Sequence, residues 1–141
     1  ADGGFCNVPF LEYLKTANSE HFTILQIEDP EAVDDLEAIA AVPGYEMLFF
    51  GRQDLSCALG VPGQNDHPEV QRARKLVAKM AQKYGKFAGA AGPAAGRQEL
   101  IDLGYTFIST GADVVGLGNY CKEIASAVGI SASNEPASNI R

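Results

Sequence analysis

Four short apolar runs of strand length alternate along the chain with segments of helical periodicity. The runs are FTILQIE at 22–28, EMLFFG at 46–51, KFAGAAG at 86–92 and the first part of YTFISTGADVVGL at 105–117. The first run, FTILQIE, is near-continuous in apolar residues and predicts a strand that is covered on both faces. Strands that alternate with helices at this spacing predict parallel βαβ units. We therefore expect an α/β fold built on a parallel sheet.

The segments between these strands carry signals for helix ends. Asp29 is expected to cap a helix that starts at Pro30, because its carboxylate can accept a backbone N–H and Pro suits the first turn. A longer helix is expected after Asp66, which can form a capping box with Glu69. The apolar stripe of that helix consists of Val70, Ala73, Val77, Met80, Ala81 and Tyr84. Further helices are expected over 10–18, 97–104 and about 118–128, and a loop is expected over 52–66.

The length of the chain limits which α/β fold it can form. A closed (β/α)8 barrel needs eight strands and about 250 residues, whereas this chain has 141 residues. An open four-stranded sheet and about half of a TIM-type barrel both fit that length. The chain begins ADGGFC, without an initiator Met, which we take to favour a half barrel, with 1–141 as one partial domain. Residues 129–141 are expected to form a flexible or subunit-contacting tail.

Composition and charge argue against several classes of partner. The net charge is −7 at pH 7, so the chain has no surplus of Lys and Arg to neutralise nucleic-acid phosphates. No apolar run approaches the roughly 18 residues of a membrane span, and no signal peptide opens the chain. Cys6, Cys57 and Cys121 are widely spaced and odd in number, which favours a reducing, cytoplasmic setting. We therefore expect neither a nucleic-acid nor a membrane partner.

Two acidic residues stand where predicted strands end. Glu28 closes the first strand, and Asp54 follows the second. In parallel α/β folds ligands gather at the carboxyl ends of the strands, so adjacent strands would place both carboxylates on one rim. Carboxylate oxygens are hard ligands that suit Mg²⁺ or Mn²⁺, with water and substrate completing the shell. The alternative is that these residues only cap a helix and form a turn.

The stretch QIEDPEAVDDLEAIAAVPGYEMLFFGRQDLSCALGVPGQNDHPEV, at 26–70, carries a resemblance to a known family. A strand ending in QIE, a helix, VPG, a second strand, and GRQDLS followed by LG and HPEV resemble the HpcH/HpaI aldolase/citrate lyase family. Its members include class II 2-oxo-acid aldolases of the 4-hydroxy-2-oxoheptanedioate aldolase type. YGKFAGAAG and LGYTFISTGADVVGL look like the seventh and eighth strands of that family's barrel, so the resemblance covers about 20–128.

The resemblance implies a lyase on a TIM barrel that cleaves 4-hydroxy-2-oxo acids to pyruvate and an aldehyde through a metal-stabilised pyruvate enolate. Glu28 and Asp54 match the two metal-binding carboxylates, with Mg²⁺ or Mn²⁺ as the cation and Co²⁺ or Zn²⁺ as alternatives. Gln26 matches a position close to bound pyruvate, and the backbone amides of Gln53 and Asp54 match the turn that holds its carboxylate. A homo-oligomer is also implied.

The resemblance also implies an absence. The family's general-base His and substrate-clamping Arg would lie on strands upstream of residue 1, and we find no match for either in this chain. We interpret His21, at the amino end of a strand, and His67, at a helix start, as structural residues. Where the family often has Pro and a small residue, this chain has Arg52 and Gln53, which leaves the entrance to the site open to change.

Two alternatives to the aldolase remain at this point. An acyl-CoA lyase of the malyl-CoA or citryl-CoA type would share the barrel and both acids. A half barrel without activity could instead serve only as an assembly partner, since its first and last strands would present unpaired edges.

Overall fold

The computed structural model describes residues 7–130, so most of the predicted tail, 131–141, lies outside the described residues. Helices and strands alternate along this part of the chain, as predicted. In chain order the elements are α1 Phe10–Glu20, β1 Ile24–Ile27, α2 Pro30–Asp34, α3 Leu36–Ala41, β2 Met47–Phe50, α4 Arg52–Ala58, α5 Pro68–Lys83, β3 Phe87–Ala91, a 3-10 turn Ala94–Gly96, α6 Arg97–Asp102, β4 Phe107–Ser109 and α7 Asp113–Ala127.

The strands of residues 7–130 form one sheet in the order β1-β2-β3-β4, and every neighbouring pair is parallel. Each strand therefore pairs with its successor, without the reversal of strand order that marks a doubly wound sheet. The register places Gln26, Phe49, Gly89 and Phe107 in one row across the sheet. This arrangement confirms the predicted α/β fold. The sequential order of parallel strands is the order found in a (β/α) barrel.

One face of the sheet, which we call the outer face, packs on the helices. Leu48, Phe50, Ala88 and Ala90 point to this face and are almost completely buried. Helix α5 covers β2 and β3 there with the stripe predicted from the sequence. The buried residues of α5 are Val70, Ala73, Val77, Ala78, Met80 and Ala81. The core of the described chain lies between this helix layer and the sheet.

The opposite face, which we call the inner face, is open. Ile24, Phe87 and Phe107 are 45%, 52% and 47% exposed, respectively. A Cβ on Gly89 would lie 2.6 Å from Cδ2 of Phe49, so this glycine lets the ring of Phe49 pack across β3. The prediction that the first strand is covered on both faces is therefore wrong, since Ile24 and Gln26 of β1 are exposed, whereas Met47 of β2 is 2% exposed on the inner face. The apolar composition of the strands reflects a barrel interior, which only strands on the opposite side of a barrel would cover.

Several element boundaries differ from the prediction. The segment after β2 begins with helix α4 at Arg52, where a loop was expected, because Gly51 supplies an N-cap directly after the strand. The last helix starts at Asp113 and not near residue 118. Its glycines, Gly116 and Gly118, have a low helix propensity, but both lie within the folded helix.

Two predicted helices differ in their ends from the prediction. The helix after Asp29 is divided at Asp35 into α2 and α3, with the Asp35 N–H donating to the carbonyl of Glu31. Helix α5 is capped by His67 and not by Asp66, since Nδ1 of His67 accepts from the backbone N–H of Glu69 at 3.3 Å. Within residues 7–130, no helix is long and apolar enough to cross a membrane.

Candidate metal and substrate site

The carboxyl end of β1 presents two polar side chains on the inner face. Gln26 and Glu28 are two residues apart, and side chains with that spacing on an extended chain point to the same side. Nε2 of Gln26 donates a hydrogen bond to Oε2 of Glu28. Gln26 is exposed and Glu28 is half-buried, so the pair lines the rim of the sheet.

The neighbouring acid, Asp29, has a different role. Its Oδ1 accepts the backbone N–H of Ala32 at 2.7 Å, and its backbone is extended, as an N-cap requires. Pro30 occupies the first turn of α2. The prediction that Asp29 caps a helix is therefore confirmed, because its carboxylate accepts a hydrogen bond at the start of α2.

Gly51 brings the end of β2 close to Glu28. Its N–H donates to the carbonyl of Ile27 at 2.9 Å, which continues the pairing of β1 with β2 by one residue. A Cβ on Gly51 would lie 2.7 Å from Cβ of Glu28, 2.9 Å from Oε2 of Glu28 and 3.1 Å from Nε2 of Gln26. Gly51 was not singled out from the sequence, although a glycine directly after the apolar pair Phe49-Phe50 was a usable signal.

Gln53 and Asp54 lie in the first turn of α4, two and three residues after Gly51. The first backbone bond of this helix joins the Leu55 N–H to the Gly51 carbonyl at 3.1 Å. The N–H groups of Gln53 and Asp54 therefore precede the first N–H that donates within the helix, that of Leu55, as expected at a helix start. Both side chains are exposed, and within residues 7–130 neither makes a hydrogen bond or ion pair with Gln26 or Glu28.

The donor set on this rim fits a hard divalent cation. Glu28 ends β1 and Asp54 begins the helix after β2, and these two strands are adjacent and parallel. Two carboxylates leave several coordination positions open for water and substrate, which is the usual arrangement for Mg²⁺. No cluster of three or more His, Cys, Asp or Glu side chains that could hold a metal exists in the described part of the chain. A protein-only cage is therefore not what these residues would form.

A cavity of about 180 Å³ lies beside this rim, between the ends of β2 and β3 and helices α5 and α6. Arg52, Asn65 and Arg74 contribute polar side chains to its lining. Arg74 is only 13% exposed and pairs with Glu99 at 2.8 Å, whereas Arg52 has no hydrogen-bond or ion-pair partner among residues 7–130. Oδ1 of Asn65 is buried without a partner in the same range. The sequence carried no signal for this cavity beyond the polar run GQND.

His21 and His67 each lie at the end of a helix. His67 caps α5, as its predicted position at a helix start suggests. His21 follows α1 and precedes β1 at the amino end of the strand, the edge opposite to Glu28. The described residues thus give His67 a helix-capping role and place His21 at the edge of the sheet away from Glu28.

The family assignment follows from the sequence over most of these elements. The model of the HpcH/HpaI aldolase/citrate lyase family matches residues 8–119, from the segment before α1 into α7. The chain belongs to this family. An HpcH/HpaI aldolase from Desulfitobacterium hafniense superposes with a TM-score of 0.74 at 30% identity, covering 94% of this chain and 52% of that structure. The fold is therefore of the TIM-barrel type found in HpcH/HpaI aldolases.

Relatives in this HpcH/HpaI family carry aldolase names. The chain is 37% identical over 130 residues to a hydroxypyruvate/pyruvate aldolase of Cupriavidus necator, covering 91% of this chain and 48% of that protein. It is 39% identical over 111 residues to a 5-keto-4-deoxy-D-glucarate aldolase of Klebsiella pneumoniae, covering 78% of this chain and 43% of that protein. The chain thus spans about half the length of the relatives that it matches.

Proposed function

We propose that this chain supplies the metal-holding half of a class II aldolase, which cleaves 4-hydroxy-2-oxo acids to pyruvate and an aldehyde. The observation that carries the proposal is the position of Glu28 against Gly51, at the end of β1 and next to the start of α4. Asp54 lies in the first turn of that helix, which follows the adjacent strand β2. Two carboxylates thus stand on one rim, inside the region that matches the family.

In this proposal the chain's own residues bind and orient the 2-oxo acid. Glu28 and Asp54 hold a divalent cation, which supplies Lewis-acid stabilisation of the charge that develops on the 2-oxo oxygen. The backbone amides of Gln53 and Asp54, at the start of α4, are free to donate to the carboxylate of the pyruvate portion. Gln26 lies beside Glu28 on the same rim.

Cleavage also requires a base that removes the proton of the 4-hydroxyl group. His21 lies before β1, at the opposite edge of the sheet, and the Nδ1 of His67 accepts the Glu69 N–H as the cap of α5. We therefore place the general-base His and the substrate-clamping Arg on strands that complete the barrel, outside this sequence. The proposal assigns this chain cation binding and substrate orientation, and assigns proton transfer to the remainder of the barrel.

The aldolase is favoured over an acyl-CoA lyase of the same family by two observations. Relatives at 37% and 39% identity are named aldolases, for hydroxypyruvate/pyruvate and 5-keto-4-deoxy-D-glucarate. The described segments that follow β1, β2 and β3 at the rim contribute Arg52 and Arg97, each at the start of a different helix, and no run of neighbouring basic residues for the phosphates of CoA. A small 2-oxo acid is therefore the proposed substrate, with a cytoplasmic location as a further prediction.

Calorimetric titration with Mg²⁺ and Mn²⁺ tests the cation site. We expect Glu28→Gln and Asp54→Asn each to lower the affinity at least tenfold, because each removes one of two charged ligands. The matched control is Asp29→Asn, which removes the adjacent carboxylate but keeps a good N-cap residue for α2. Equal affinity in all four proteins would remove the metal assignment.

The reaction itself needs the complete barrel, so the assay uses the full-length protein that contains this sequence. Release of pyruvate from 4-hydroxy-2-oxo acids, compared with cleavage of malyl-CoA and citryl-CoA, separates the aldolase from the acyl-CoA lyase. We expect pyruvate release that requires the divalent cation and falls in the Glu28→Gln variant. Cleavage of the thioesters alone would overturn the choice of substrate while leaving the cation site intact.

A further inference from the structure

We propose that Gln26 and Gly51 together form a seat for the Glu28 carboxylate and that both are positioning residues for the cation site. The inference rests on the proposed metal role of Glu28. Gln26 holds one carboxylate oxygen through a hydrogen bond, and Gly51 leaves the space in which the side chain of Glu28 lies. Neither residue needs to touch the cation for the seat to act.

The glycine at position 51 is required for space and not for its backbone conformation. Its φ is −92° and its ψ is 75°, so φ lies on the side of the Ramachandran plot that residues with a side chain adopt. A Cβ at this position would, however, lie 2.7 Å from Cβ of Glu28. Real Cβ contacts are essentially never this short, so a methyl group here must displace Glu28 or part the two strand ends.

Neither adjustment is easy within the fold. Cβ of Glu28 is attached directly to the backbone, so rotation of the side chain cannot carry it away from Gly51. The strand ends are held by the hydrogen bond from the Gly51 N–H to the Ile27 carbonyl, at 2.9 Å. Ile27 is itself only 2% exposed and packs in the core. A methyl group at position 51 would therefore shift Glu28 as a whole, and it would also lie 2.9 Å from Oε2 of its carboxylate.

Gln26 sets the orientation of the same carboxylate. Its Nε2 donates a hydrogen bond to Oε2 of Glu28, so the other carboxylate oxygen, Oε1, remains for a cation. Hydrogen bonds of this kind orient metal-binding carboxylates, and their loss typically lowers metal affinity about 10–100-fold. The family resemblance places Gln26 close to pyruvate, and the contact with Glu28 gives it a second role. Gln26, Glu28 and Gly51 thus contact one another where β1 and β2 end.

The test compares Gly51→Ala and Gln26→Leu with the wild-type chain and a matched control. The control is Gly116→Ala, another glycine-to-alanine change, at a helical site in α7 where a Cβ would meet no atom within 4 Å. We expect Gly51→Ala to lower the affinity for Mn²⁺ at least tenfold in calorimetry and Gln26→Leu about tenfold. Gly116→Ala is expected to bind Mn²⁺ like the wild-type chain.

A second readout needs no metal. The side-chain amide signal of Gln26 in proton–nitrogen NMR spectra is expected to differ between the wild-type chain and Glu28→Gln, because the bonded partner changes. In Gly51→Ala the signal is expected to leave its wild-type position. Circular dichroism establishes that each variant is folded, and if Gly51→Ala is not folded, Gln26→Leu decides through its Mn²⁺ affinity.

Unchanged Mn²⁺ affinity in both folded variants would overturn the seat. If the wild-type chain binds neither Mn²⁺ nor Mg²⁺, the proposed metal function fails, and the NMR readout decides the seat by itself. In that case, identical Gln26 signals in the wild-type chain and Glu28→Gln would overturn it, as would a wild-type Gln26 signal in folded Gly51→Ala. Failure of the metal proposal and failure of the seat are therefore distinguishable.

Discussion

The two faces of the sheet differ in what covers them and in what they contribute. On the outer face, Leu48 and Phe50 are 0% and 3% exposed beneath the helices. On the inner face, Phe87 and Phe107 are about half exposed, although Met47 of β2 is 2% exposed there. The same row that carries Phe107 across the sheet begins at Gln26, beside Glu28. The outer face thus stabilises this chain, and the inner face presents its candidate site.

Helices α5 and α7 show the same contrast. Helix α5 has six buried residues and covers β2 and β3, whereas none of the residues of α7 in the described structure is buried. Val114, Leu117 and Tyr120 of α7 are all more than 60% exposed. An apolar helix and an apolar sheet face left open in one chain are the surfaces that further polypeptide would cover.

The largest expected effect lies on the outer face. Leu48→Ala is expected to lower the free energy of unfolding by about 2–5 kcal/mol, because it leaves a cavity in a packed core. Phe107→Ala, on the inner face, is expected to cost less than about 1.5 kcal/mol, because half of the ring is already in water. Urea unfolding of the two variants measures the difference. Equal losses of unfolding free energy would show that the inner face is packed in solution and would contradict the difference between the two faces.

An intermediate effect is expected in association. The open inner face predicts that the chain self-associates or binds the rest of a barrel, and sedimentation should give a mass above the 14.9 kDa of one chain. Phe107→Asp is expected to weaken association at least tenfold, about 1.4 kcal/mol, by placing a charge on that face. Val42→Asp, at an exposed apolar position after α3, serves as the control. A stable wild-type monomer would contradict the expectation.

The smallest effect concerns Tyr105, which is buried behind the outer face. Its Oη donates to the carbonyl of Arg74 at 2.8 Å, so Tyr105→Phe is expected to cost about 1 kcal/mol near neutral pH. Burial raises the pKa of Tyr105, against the opposing effect of the Arg74 charge. The unfolded chain ionises near pH 10 and the folded chain only above it, so this stability is present below about pH 10 and is lost as pH rises further.

Urea unfolding at about pH 8 and about pH 11 measures this dependence. The free energy of unfolding of the wild-type chain is expected to fall more steeply between these values than that of Tyr105→Phe. Parallel losses in the two proteins would show that Tyr105 is not buried as a neutral phenol. The difference between them matters, because lysines and other tyrosines titrate in both chains.

Much of the fold could be predicted from local patterns. All four strands were located, as were α5 with its buried stripe and the cap at Asp29, because each depends on residues that are close in sequence. Helix α4 was missed because its sequence, RQDLSCA, has too few apolar residues to show a helical stripe, although Gly51 was already predicted at the end of β2. The cap of α5 was shifted by one residue, from Asp66 to His67, since both can accept a backbone N–H.

The candidate site divides in the same way. By itself the sequence determined which acids stand at strand ends and that Asp29, and not Glu28, caps a helix. It also determined which family the motifs resemble. These are local properties, because they depend on strand length, helix caps and the order of motifs along the chain. Only the tertiary structure decided that Gly51 lies against Glu28, since that contact joins residues 23 positions apart through the pairing of β1 with β2. It also decided which face of the sheet is open, because burial depends on what packs across a strand and not on the strand's own composition.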